Sequence, residues 1–175
     1  MAFCQDDDLS AIRKSIDSII KADSTLMALF PSSFNEYQSL FGYDGPFCQY
    51  FSIVDHLRHS ETVNQDELQR KVLSCCINGV WEADHVAYLS VNAIDYLLKE
   101  RTNKDRVQKS IILLNSHTRS QNVSFWYFIF DGPHPENYYE VKQKIYSEWL
   151  SYGNYKYMDS IETGYISAVK HSEQY

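Results

Sequence analysis

Two histidines, His56 and His59, have the spacing of a metal-binding pair. They fall on one turn of a predicted helix, where two imidazoles can share one ion. Glu82 and His85 form a single Glu-x-x-His, whereas a helical di-iron site needs two such motifs and two further glutamates. A metal-dependent hydrolase that uses these histidines and this motif is therefore an alternative function. Our main expectation is that the protein holds no metal and no cofactor.

The four cysteines, Cys4, Cys48, Cys75 and Cys76, form no C-x-x-C pair. Cys75 and Cys76 belong to an apolar helical stripe, where a thiol is usually inert. A disulfide between Cys4 and Cys48 is an alternative that the sequence does not decide. The chain also has no Gly-x-Ser-x-Gly, no phosphate-cradling glycine loop and no His-Glu-x-x-His. We therefore predict no catalytic residues, with a Cys-dependent hydrolase as the second form of the enzyme alternative.

A local basic stretch lies between two predicted helices. Its cations alternate with Glu100 and Asp105, and they are Lys99, Arg101, Lys104, Arg106 and Lys109. A solvated helix face is the simplest interpretation, because the protein as a whole is acidic. An anion or nucleic-acid contact here is the weaker interpretation.

A proline-bounded loop after an aromatic run is the best candidate for a binding site. The aromatic run covers residues 125–130, and the loop Asp131-Gly132-Pro133-His134-Pro135 follows it. Two prolines restrict the shapes of the loop, and rigid loops beside aromatic residues make good recognition surfaces. A tight turn over the core is the purely structural alternative. The predicted contact residues are Asp131, His134, Glu136, Tyr138 and Tyr139.

Apolar residues recur at helical spacing along most of the chain. The pattern predicts about eight helices, beginning with one over residues 9–20 behind an acidic start, Asp6 to Asp8. Pro31-Ser32-Ser33 divides two short helices. The second of these has a predicted inward face of Phe34, Tyr37, Leu40 and Phe41, and the last helix has one of Met158, Ile161, Tyr165 and Val169.

Residues 122–130 are too short a run for periodicity to separate a buried helix from a buried strand. We predict a helix, because the neighbouring segments are helical and a lone strand would have no pairing partner. With few glycines and prolines to make turns, 6 and 4 respectively, the chain is predicted to be all-α. The expected architecture is one domain over residues 1–175, an antiparallel helical array built as a bundle or as stacked helix pairs.

The net charge of −7 and the 14 tyrosines favour protein binding over nucleic-acid binding. A small, acidic, helical chain without a visible active site resembles bacterial inhibitor and immunity proteins in general character, and that resemblance assigns no residue roles. We therefore predict a non-catalytic protein-binding module that neutralises a basic toxin or enzyme. Self-association as a structural subunit is a further alternative. The lack of an apolar leader or span predicts a cytoplasmic protein without a membrane partner.

Overall fold

The computed structural model of the protein describes residues 23–41, 47–80, 85–131 and 135–174. Every regular element in these ranges is helical, so the predicted all-α class is confirmed. The α-helices are α1 (Asp23–Leu29), α2 (Phe34–Phe41), α3 (Phe47–His59), α4 (Gln65–Cys75), α5 (His85–Ile94), α6 (Lys104–Asn115), α7 (Arg119–Phe130), α8 (Tyr139–Tyr152) and α9 (Met158–Ser172). One 3-10 turn, Pro135–Tyr138, precedes α8. The predicted helix over residues 9–20 lies outside the described residues, and the single domain over residues 1–175 stays a prediction.

Local capping chemistry sets several helix boundaries. The side chain of Asn64 accepts hydrogen bonds from two backbone amides at the start of α4, and Asn103 accepts one at the start of α6. Thr118 and Gln121 form a reciprocal capping box at the start of α7. Gly153 ends α8 with a φ of 68°, a left-handed conformation that glycine adopts at low cost. These ends are therefore specified by short sequence patterns.

The aromatic run is helical, as predicted, and it forms the centre of the core. In α7, Phe125, Trp126, Phe128, Ile129 and Phe130 are all fully buried. These residues cover more than one face of the helix, which is typical of a helix with neighbours on several sides. Helix α7 packs against both α5 and α9. The run consequently belongs to one apolar cluster that also contains residues of α5 and α9.

Small residues make the close contact between α7 and α9, which is the most extensive helix pairing among the described residues. The buried residues of α9 are Ser160, Ile161, Gly164 and Ala168. Of the predicted apolar stripe of α9, Ile161 is buried, whereas Met158, Tyr165 and Val169 are half-buried. Met158 and Tyr165 pack against the edge of the core. Large side chains directly between the helices would hold them apart, so they lie beside the contact instead.

The inward face of α2 also differs from the prediction at one position. Phe34, Tyr37 and Phe41 are buried, whereas Leu40 is 47% exposed. Helix α2 packs on α3 and α4, and Leu40 lies on its exposed side. In α4, the side chain of Lys71 is buried, and its ammonium donates to the carbonyl oxygens of Met27 and Phe30 at 2.9 and 2.7 Å. A lysine side chain thus provides hydrogen-bond donors for backbone carbonyl groups at the end of α1.

Candidate functional site

Two of the predicted binding residues, Tyr138 and Tyr139, lie where the 3-10 turn enters α8, beside α9. We call the group formed by Tyr138, Tyr139, Lys142, Glu162 and Tyr165 the Tyr139 surface. Helix α8 supplies Tyr139 and Lys142, α9 supplies Glu162 and Tyr165, and the 3-10 turn supplies Tyr138. The 3-10 turn contacts both helices, so all three elements meet at this surface.

Lys142 is the centre of the Tyr139 surface. Its ammonium donates to Glu162 Oε2 at 2.7 Å. It also lies 5.0 Å from the ring centroid of Tyr139 and 4.7 Å from that of Tyr165, within the range of cation–π attraction. The side chain of Lys142 is only 4% exposed. Two tyrosines and a glutamate therefore enclose this lysine.

Tyr139 is exposed and yet packed against two neighbouring side chains. Its relative exposure is 52%, and its ring centroid lies 6.2 Å from that of Tyr165. Part of the ring contacts Lys142 and Tyr165, and about half of the residue is open to solvent. Tyr138 is half-buried, with its ring 6.4 Å from that of Phe130, and so contributes less open surface. The contact role of both tyrosines stays a prediction.

Asp131 occupies a different environment from the tyrosines. It is 2% exposed, and its Oδ1 accepts a hydrogen bond from His171 Nδ1 at 3.2 Å. Among the described residues, Asp131 Oδ2 has no hydrogen-bond partner. The carboxylate thus connects the end of α7 to the end of α9 and presents little surface to a partner. Of the other predicted contact residues, His134 and the side chain of Glu136 lie outside what the structure describes.

Lys142, Glu162 and Tyr165 were not among the predicted contact residues. The pair Tyr139 and Lys142 did carry a local signal, since residues three apart lie side by side on a helix. Glu162 and Tyr165 carried none, because they come from α9 and reach the surface only through the packing of α8 on α9.

The two histidines of the metal hypothesis have separate partners. His56 Nε2 donates to Asp23 Oδ1 at 2.9 Å, and His59 Nδ1 donates to the carbonyl oxygen of Asp55 at 2.7 Å. All four residues line an open cleft of about 540 Å³. No group of three or more His, Cys, Asp or Glu side chains in the described ranges has the arrangement of a metal site. Glu82 and the side chain of His85 are not described.

Asp23 is the most strongly hydrogen-bonded carboxylate in this cleft. It accepts bonds from the hydroxyls of Ser60 and Thr62 in addition to that from His56. These bonds stabilise the charged form and lower the pKa of Asp23 to about 2. Ser60 donates to Asp23 and makes no hydrogen bond to His56, so the three side chains lack the serine-to-histidine contact of a nucleophilic triad.

Cys75 and Cys76 are free thiols buried in the core. Burial raises the pKa of Cys75 to about 12 and that of Cys76 well above its usual value. The Cys75 thiol donates to the carbonyl oxygen of Pro31 at 3.4 Å. Both thiols are therefore protonated at neutral pH and unsuited to nucleophilic attack. Cys4 and the side chain of Cys48 lie outside the described residues.

The fold and the Tyr139 surface together define an all-helical protein with an exposed, ordered aromatic surface. None of the described helices has both the length and the apolar character needed to cross a membrane. Comparisons with known protein families, with curated proteins and with solved structures return no match.

Proposed function

We propose that this protein is a non-catalytic binding module whose partner is a basic protein, with inhibition of a basic toxin or enzyme as the most concrete version. The observation that carries the proposal is that Tyr139 is about half exposed and yet fixed by Lys142 and Tyr165. An exposed ring that is already ordered loses little conformational entropy when a partner covers it.

The chemistry of tyrosine supports this use of the surface. Tyrosine is enriched among the residues that dominate binding energy, because it combines a large apolar ring with one polar group. Tyr139 lies next to the exposed Glu140, and Glu162 is also exposed. A partner that covers the ring would therefore meet carboxylates at its edge, which suits arginine or lysine side chains.

The charge of the whole chain supports a basic partner. A net charge of −7 attracts a positively charged protein over distances comparable to the Debye length and accelerates its association. This attraction acts on the association rate, and the contact at Tyr139 acts on the dissociation rate. Affinity should accordingly fall with salt mainly through slower association.

Affinity capture with the full-length protein, followed by mass spectrometry, is the first experiment. A partner that co-purifies at one-to-one stoichiometry is then titrated against wild type, Tyr139→Ala and Tyr88→Ala. We expect Tyr139→Ala to weaken binding about tenfold or more, as for a central interface tyrosine. Tyr88, in α5, is 41% exposed and is the matched control. Its substitution should leave the dissociation constant unchanged.

Equal affinities of wild type and Tyr139→Ala would remove the Tyr139 surface from the proposal. Purified protein with no partner but with hydrolase activity would overturn the binding function itself. The hydrolase alternative has weaker support from the described residues, because the two histidines are engaged separately and Cys75 and Cys76 are buried.

A further inference from the structure

A small pocket lined by three arginines lies at the end of α3, beside the connection between α5 and α6. Arg58 comes from α3, Arg101 from the connection and Arg106 from the first turns of α6. The pocket has a volume of about 220 Å³. Arg101 and Arg106 belong to the basic stretch of the sequence, and the fold adds Arg58 from more than 40 residues away. The pocket is separate from the residues of the Tyr139 surface.

The charge of the pocket is opposite to that of the protein. Its lining holds three arginines and one carboxylate, Asp95, in a chain whose net charge is −7. Asp95 is shared, with Oδ2 3.0 Å from Arg58 and Oδ1 3.5 Å from Arg101. Asp66, which pairs with Arg106 at 3.0 Å, also binds Lys109 at 2.9 Å. Positive charge is therefore in excess at the pocket.

Arg58 is held rigidly in the pocket wall. Its guanidinium donates to the Tyr96 hydroxyl at 3.2 Å, to Asp95 at 3.0 Å and to the carbonyl oxygen of Asn92 at 2.8 Å. The group also lies 4.8 Å from the ring centroid of Tyr96. Because the Tyr96 hydroxyl accepts from Arg58, its own proton is available for donation to a ligand.

The connection that carries Arg101 is also fixed in place. Trp149 Nε1 donates to the carbonyl oxygen of Leu97 at 2.9 Å, and the Ser110 hydroxyl donates to that of Tyr96 at 3.0 Å. The backbone amide of Lys99 donates to the carboxylate of Glu148. The pocket is thus preorganised, which reduces the entropic cost of binding.

Arg101 and Arg106 retain unused donors. Within the described residues, the polar contact of Arg101 is the 3.5 Å approach to Asp95, and Arg106 bonds through Nη1 alone, to Asp66 and Gln69. The Nε and Nη2 groups of both side chains are left to bind a ligand. Planar guanidinium forks match the oxygens of phosphate and carboxylate groups, and a phosphate carries the larger charge.

We propose that this pocket binds one phosphate group, either as inorganic phosphate or as the phosphate of a small monoester. Its volume is below the roughly 300 to 1,000 Å³ of sites that enclose a drug-sized ligand, so it holds one charged group. The net charge of −7 on the chain as a whole disfavours polyanions such as nucleic acids. Arg101 and Arg106 supply the paired donors, and Arg58 supplies fixed positive charge.

Isothermal titration of the full-length protein with sodium phosphate at constant ionic strength tests the proposal. Wild type should bind at one saturable site. Arg101→Gln should raise the dissociation constant about tenfold, the usual effect of losing a charged hydrogen-bond donor. Arg101→Lys should retain only part of the affinity, because an ammonium lacks the fork. Arg119→Gln, which breaks the exposed pair with Asp159 instead, is the control and should bind as wild type does.

Absence of saturable binding to wild type would overturn the proposal, as would equal affinities of wild type and Arg101→Gln. Acetate that binds as tightly as phosphate would overturn the preference for phosphate. Titration with glycerol phosphate separates the two sources: tighter binding than inorganic phosphate supports a phosphorylated small molecule, and weaker binding supports the free ion. Arg101 is partly exposed and makes one weak ion pair, so its variants should fold.

Discussion

Gly164 of α9 lies directly against the backbone of α7 at Trp126. A Cβ atom placed on Gly164 would come within 2.5 Å of the Trp126 Cβ and within 2.6 Å of the Tyr127 backbone nitrogen. Real Cβ atoms do not approach other atoms so closely, and backbone atoms cannot move aside as a flexible side chain can. The absence of a side chain at residue 164 therefore sets the distance between the two most extensively paired helices.

Gly164→Ala should destabilise the protein by about 1 to 3 kcal/mol, because overpacking of the contact outweighs the better helix propensity of alanine. Gly164→Val should cost more. Urea denaturation followed by circular dichroism measures the change. Ser167→Ala, in the same helix but half-buried, is the control and should have a much smaller effect. Equal stability of Gly164→Ala and wild type would show that α7 and α9 separate at little cost.

Tyr155→Phe should break a buried polar network behind the α7–α9 contact. The Tyr155 hydroxyl accepts from Trp126 Nε1 at 2.9 Å and donates to Asn122 Oδ1 at 2.5 Å. Loss of the hydroxyl leaves two buried polar groups unpaired, at a cost of about 2 to 4 kcal/mol. The free energy of unfolding in urea tests this. Tyr157→Phe, at a half-buried neighbour, should change it by far less, and a similar loss in both variants would contradict the network's importance.

Cys75 and Cys76 should resist thiol reagents until the protein unfolds. In a variant with Cys4→Ser and Cys48→Ser, we expect Ellman's reagent to label neither remaining thiol in the native state and both in urea. The reason is burial, which also raises the pKa of Cys75 to about 12. Labelling of the native protein should be slower than labelling in urea by about two orders of magnitude or more. Rapid labelling of the native protein would contradict this prediction and would support the Cys-dependent hydrolase as the alternative function.

The hydrogen bonds to Asp23 should make stability depend on pH in the acid range. The folded-state pKa is about 2, against an ordinary value of 3.8. The charged form thus contributes stability that is fully present above about pH 4 and is lost as pH falls toward 2. Asp23→Asn should therefore lose stability at pH 7, and its difference from wild type should shrink between pH 4 and pH 2. Unfolding in urea across that range measures the difference.

Asp105→Asn is the control for this acid-range measurement. Asp105 also accepts a charged hydrogen bond, from Lys109 in an exposed pair, and its removal should have a smaller effect at pH 7. A difference between Asp23→Asn and wild type that stays constant from pH 7 to pH 2 would contradict the role of the Asp23 carboxylate.

The helices of the described ranges depend on local features of the sequence. Asn64, Asn103 and Gly153 mark helix ends because an N-cap side chain or a left-handed glycine acts on amides and carbonyls only a few residues away. The all-α class followed from the same 3.6-residue period. The helix over residues 122–130 was also predicted on local grounds, because the segments on both sides of it are helical.

Hydrophobic periodicity did not predict which residues from different helices contact each other. The period placed Met158, Tyr165 and Val169 on the apolar face of α9, but it did not indicate that Gly164 lies at the contact, where two backbones meet. Likewise, Tyr139 was a predicted contact residue, but its place beside Tyr165 required the packing of α8 on α9. The arginine pocket is a further case, since Arg58 joins Arg101 through the packing of α3 on α5. Hydrophobic period and capping act over one or two turns, whereas the distance between two helices depends on how all their side chains fill the space between them.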